Sequence, residues 1–263
     1  MAENEVMGLW RRHAPAKYPD GVIAVPTAIP GTSFFPGGYG LWESEAGRGL
    51  PEFPVRGVMV LGHDFHSEEG YKASLQRGRE RVTQPTWRNL IDVFTRAAIP
   101  LDQCFFTNYY MGLRAGAETT GRFPGADDES FVHHCQAFLI DQLRTQRPRL
   151  LITLGVHVPL GISFLSPGLS DWGAGNGIRH LDTVGPVRSG IRFTGIKDFV
   201  TTVVALIHPS QRHASLHLRE YAGAVGDEAE LAMLRNARTE SIASMASQPP
   251  DARARTASSV LPI

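Results

Sequence analysis

Gly57-Val58-Met59-Val60-Leu61, followed by Gly62-His63-Asp64, is the stretch from which the fold is read. Small and apolar residues run on without polar alternation, then give way to a glycine, a histidine and a carboxylate. A continuous run of this length suits a parallel strand covered by helices on both faces. Three more runs have the same form: Cys104-Phe105-Phe106-Thr107, Leu150-Leu151-Ile152-Thr153-Leu154 and Val203-Val204-Ala205-Leu206-Ile207. Each ends at a polar residue or a tight turn, at Asn108, Gly155 and His208 respectively. Ligands of open parallel sheets bind outside the carboxyl ends of the strands, so Asp64, Asn108 and His208 are expected to converge on one crevice.

Helical patterns of crossover length lie between the runs. Thr86 to Ala98 gives one, ended by Pro100. A second starts at Asp127-Asp128, carries Phe131, Cys135, Phe138, Leu139 and Leu143 on one face, and stops at Arg147-Pro148. A third begins near Gly155, and a fourth is expected from about Ala214 to Arg235. Right-handed crossovers then give a three-layer α/β/α fold around a central, mainly parallel four-stranded sheet. Residues 1–245 read as one domain with its core at about 55–235. The Gly- and Pro-rich segments 31–56 and 165–190 read as long functional loops, and 246–263 as a disordered tail.

Twenty-six basic residues balance twenty-six acidic ones, so any contact with a polyanion must come from a local basic face. Lys72, Arg77, Arg79, Arg81 and Arg88 form the best such strip. Two cysteines, Cys104 and Cys135, read as core thiols in a reducing cytoplasm. No signal pattern and no run of eighteen apolar residues is present, so a cytoplasmic protein without membrane contact is expected. His213 and His217 stand four apart but lack an evident third ligand, and neither metal nor cofactor is expected. Gly173-Ala174-Gly175-Asn176-Gly177 follows no strong strand and reads as a loop rather than a dinucleotide site.

Gly62-His63-Asp64-Phe65-His66 resembles the first motif of the uracil-DNA glycosylase superfamily, in which Gly-Gln-Asp-Pro-Tyr follows the first strand. His208-Pro209-Ser210 resembles its His-Pro-Ser motif. Pro85-Thr86-Trp87-Arg88-Asn89-Leu90 is similar to its DNA-pinching loop, and Thr107-Asn108 to the strand end that bears its base-reading asparagine. Arg147 to Gly155 is similar to the family's strand before its turn glycine. The resemblance covers about residues 55–235 in order. It implies a monofunctional glycosylase that hydrolyses the glycosidic bond of a flipped-out pyrimidine and leaves an abasic site. Asp64 would stabilise the cationic sugar and orient water, His208 would donate to the base carbonyl, and Asn108 would read the base edge. DNA is the implied partner, with no obligate protein partner.

Two departures bear on the substrate. Where the uracil-specific pattern has a tyrosine that blocks C5 substituents, this chain has Phe65 and then His66. A C5-modified cytosine, such as the hydroxymethyl or glucosylated bases of some phages, is therefore slightly favoured, which suggests anti-phage defence. Polar His66, Ser67, Glu68 and Glu69 are candidates to bond an attached sugar. Uracil repair is the alternative, as is a catalytically inactive binder of damaged or modified DNA. The second departure follows Ser210, where Gln211-Arg212 replaces the family's apolar wedge and makes Arg212 the nearest wedge candidate. Phe65, Tyr71 and Trp87 are the aromatic candidates to stack on the base.

Overall fold

The computed structural model describes residues 5–25, 55–77 and 81–246. In chain order the elements are α1 (Glu5–His13), β1 (Val22–Ile23), β2 (Val58–Gly62), α2 (Glu68–Arg77), α3 (Pro85–Arg96), β3 (Cys104–Asn108), β4 (Leu113–Arg114) and α4 (Glu129–Gln146). They continue with β5 (Leu150–Leu154), α5 (His157–Ser163), α6 (Gly177–Val184), β6 (Val187–Ile191), β7 (Thr201–Leu206), α7 (Arg212–Ser215), β8 (Glu220–Tyr221), β9 (Ala224–Val225) and α8 (Gly226–Ala246).

The central sheet is mixed and five-stranded, in the order β3-β2-β5-β7-β6. Its first four strands are the four apolar runs, all parallel, and β6 joins antiparallel to β7. The chain passes from β2 outward to β3, then returns to lay β5 on the other side of β2. This reversal puts the carboxyl end of β2 at a switch point of the sheet, where a crevice opens.

Why the four runs lack polar alternation is clear from their two faces. Val58, Val60, Phe106, Ile152 and Val204 pack with Trp87, Leu90 and Phe94 of α3 and Leu231 and Leu234 of α8. Met59, Leu61, Phe105, Leu151 and Val203 pack on the opposite side with Leu139 and Leu143 of α4 and Val158 and Ile162 of α5. Each fully buried aliphatic side chain of this kind contributes roughly 1.5–3 kcal/mol. The ends of α4 follow local rules: Asp128 accepts the Phe131 N–H at 2.8 Å, and Arg147 turns left-handed at φ 45° before Pro148.

Two expectations are corrected. Four strands become five because β6 begins inside the 165–190 segment read as a loop, which also contains α6. This edge strand is half exposed and its pairing shifts between Arg188 and Ile191, so it carries no apolar run. The single helix expected over 214–235 is instead α7, the β8–β9 hairpin and the start of α8. Ala222, Gly223 and Gly226 all take positive φ and turn the chain there. Cys104 and Cys135 are buried free thiols, both pushed up to about 12 by burial. Among the described residues no helix is long and apolar enough to cross a membrane. Most of the 31–56 loop, Arg79 and all but the first residue of the 246–263 tail lie outside the described residues.

Candidate functional site

The carboxyl edge of the sheet opens into a cavity of about 710 Å³, lined by Asp64, Asn108, Gly155 and His208 among others. Asn108 is the last residue of β3 and pairs with Gly62 across the ladder. Its side chain is buried at 1 % exposure. Gly155 follows β5 with φ +84°, and a Cβ there would stand 3.4 Å from Cβ of His208. The turn therefore suits a residue without a side chain, and it lets two strand ends approach.

Asp64 is held on both oxygens. Oδ1 accepts the His66 N–H at 3.0 Å, while Oδ2 accepts from Nδ1 of His63 at 3.0 Å and from Nε and Nη2 of Arg114 at 3.1 and 2.9 Å. Burial pushes the carboxyl pKa up, but His63 and Arg114 together outweigh it and hold the group below its ordinary value. Asp64 is thus an oriented carboxylate at neutral pH. Arg114, itself 4 % exposed, gives its remaining donors to Thr120 O, Arg122 O and Gly121 O at 2.9, 3.0 and 2.8 Å. All five guanidinium N–H groups are engaged, so this arginine is a bracket between the loop and the carboxylate.

His208 lies on the cavity wall with Nδ1 facing Ser210, whose Oγ is 2.8 Å away and whose main-chain N–H donates at 3.4 Å. Burial lowers its pKa to about 4, against the opposing pull of Asp64. At neutral pH the ring is uncharged, and with Nδ1 accepting, its proton sits on Nε2. A neutral N–H donor and a buried carboxylate therefore share one cavity. Asn89 Nδ2 donates to Pro209 O at 2.8 Å and ties α3 to the His208 turn.

The remaining sequence candidates fall into different places. His66 has φ 76° and lines the cavity, with its Nδ1 3.1 Å from Ser67 Oγ. Its ring lies over Gly70, where a Cβ would come within 2.2 Å of Nδ1. Phe65, Tyr71 and Trp87 border the cavity but are buried at 3, 4 and 2 % exposure. Phe65 packs edge-on against Trp10 and Trp87 against Phe106, so both rings are largely committed to the interior. Pro85 opens α3, Thr86 borders the cavity and Arg88 is exposed. Ser210 and Gln211 are exposed at the mouth. Arg212 is turned inward, paired with Glu230 and Asp227, and does not project as a wedge. Ser67 is buried with Oγ bonded to the Gly70 N–H, and Glu68 pairs with Lys72. Ser74, Arg77 and Gln84 are among the polar residues that do line the cavity.

Sequence reasoning missed Arg114, His63 and His157. Arg114 lies fifty positions from Asp64 on a two-residue strand, so no local pattern links them. His63 was visible only as a motif neighbour. His157 opens α5 with its ring centroid 5.0 Å from that of His63. Among the described residues no group of three or more His, Cys, Asp or Glu side chains is arranged to hold a metal ion. No protein-family model matches the chain, and no curated protein matches it in sequence.

Proposed function

We propose that this protein is a DNA glycosylase that hydrolyses the N-glycosidic bond of a flipped-out pyrimidine and leaves an abasic site. The observation that carries the reading is the pairing, in one cavity at the strand ends, of the ionised Asp64 with the neutral His208. Glycosidic hydrolysis leaves positive charge on the sugar and negative charge on the departing base. A fixed carboxylate and a fixed neutral donor answer those two charges, and neither must reorganise as they develop. Asp64 stabilises the sugar, His208 Nε2–H bonds the base carbonyl, and Asn108 reads the base edge. The order and strand context of the motifs, with their likeness to the uracil-DNA glycosylase superfamily, support the same reading.

The substrate class we favour is a C5-modified cytosine. His66 rests against Gly70 rather than standing as an aromatic wall, and Ser74 and Arg77 line the same cavity. Its volume of about 710 Å³ falls in the roughly 300–1,000 Å³ range of sites for drug-sized ligands, more than an unsubstituted base fills. Removal of phage-modified bases in defence is the biological role this pocket suits.

The test is to incubate the protein and its Asp64→Asn variant with oligonucleotides containing cytosine, uracil, hydroxymethylcytosine or glucosylated hydroxymethylcytosine, and to score alkali-labile sites. Release confined to a modified cytosine and lowered ~100-fold or more in Asp64→Asn is expected. Release of uracil alone makes the protein a repair enzyme. Binding without release on any substrate sinks the glycosylase reading.

A further inference from the structure

Two imidazoles face the same cavity with opposite hydrogen-bond partners at Nδ1. His208 accepts there from the Ser210 N–H, which leaves its proton on Nε2. His63 instead meets Oδ2 of Asp64 at 3.0 Å, and a carboxylate can only accept. Nδ1 of His63 must therefore carry the proton, and Nε2 presents a lone pair. That nitrogen meets no hydrogen-bond partner among the described residues, while the ring borders the cavity at 18 % side-chain exposure. The ring is held edge-on against Tyr110 at 5.1 Å and beside His157 at 5.0 Å, so its orientation is fixed by packing as well as by Asp64. Arg114 in turn donates twice to the same Oδ2 of Asp64.

We infer that His63 is a further catalytic residue, the general base that takes the proton of the attacking water, with Asp64 holding it in the required tautomer. The inference rests on the glycosylase reading. Water oxygen bonds C1′ as the C1′–N bond breaks, the bonding pair departs with the base, and the water proton passes to Nε2 of His63. The Nε2–H of His208 bonds the base anion, which is then protonated from solvent, and His63 returns its proton to solvent. One water is consumed and no proton is gained overall. Asp64 thus acts on the developing cation and on His63 together.

Two measurements test this. Long-range proton–nitrogen correlation spectra of the free protein at neutral pH, assigned with His63→Gln and His208→Ala, report each tautomer directly. The expected result is Nδ1–H on His63 and Nε2–H on His208; the same tautomer on both rings overturns the proposal. Single-turnover base release is then followed from pH 5 to 9 for the wild type and His63→Gln, whose amide can still donate to Asp64. General base catalysis contributes about 10²–10⁴-fold, so a loss of ~100-fold or more is expected, with DNA affinity kept and the acidic limb of the profile abolished. Asp64, Arg114, Tyr110, His66, His157 and His208 also face or neighbour His63, and all of them are retained in the variant. A His63→Gln rate within twofold of wild type, with the acidic limb intact, rejects His63 as the base but leaves the glycosylase reading standing. A wild type that releases no base from any oligonucleotide overturns both.

Discussion

Burial draws the pKa of His208 from 6.5 to about 4, and the neighbouring His63 and His66 add to the effect against the pull of Asp64. The unfolded chain takes up this proton as pH falls through about 6.5, whereas the folded one resists until about 4. Between those values the unfolded state binds more protons, so folding stability declines as pH falls. Urea midpoints measured at pH 7.5 and pH 4.5 are expected to drop less in His208→Ala than in wild type; equal drops refute the assignment. At this scale the sequence already marked Asp64, Asn108 and His208, because each ends an apolar run at the sheet edge. It did not mark Arg114 or the tautomer of His63. Both depend on contacts that only the folded chain makes, and no short-range pattern encodes a bracket fifty residues away. Arg212 was misplaced for the same reason, its partner Glu230 lying on another helix.

The turn from Ile207 to Arg212 is closed at its base by one side chain. Glu230 of α8, wholly buried, accepts the Ile207 N–H at 2.7 Å on Oε1 and pairs through Oε2 with Arg212. His208 therefore sits on a turn whose two ends share one anchor. Leaving a buried partner unpaired costs about 3–5 kcal/mol, so Glu230→Ala is expected to lower unfolding free energy by that order in urea titrations. It should also slow base release beyond what the remaining folded fraction explains; unchanged stability would show that the anchor contributes nothing. The parallel strands were legible because both of their faces are covered. The edge strand β6 and the β8–β9 hairpin were not, since neither needs an apolar run and positive-φ turns such as Ala222 have no compositional mark.

With no net charge, the whole molecule supplies no long-range pull on a polyanion, and on the glycosylase reading DNA binding rests on a few local cations. Arg81 and Arg88 are exposed on the approach to α3, while Lys72 is paired with Glu68 and Arg77 bonds Ser74 Oγ at 2.9 Å. Replacing Arg81 and Arg88 by Ala is expected to weaken DNA binding on any sequence and to reduce the slope of log affinity against log salt by about 1 each. Fluorescence anisotropy from 50 to 300 mM salt measures this, and an unchanged slope would move the phosphate contacts elsewhere. The Arg114 bracket also bears on the history of each molecule. Its guanidinium is fully engaged only when the carbonyls of residues 120–122 close on it while it reaches Asp64, fifty positions away. A chain in which residues 120–122 are undocked keeps Asp64 but loses three of the five bonds that hold Arg114 against it, so on the glycosylase reading an incompletely folded molecule is a poor enzyme rather than an indiscriminate one.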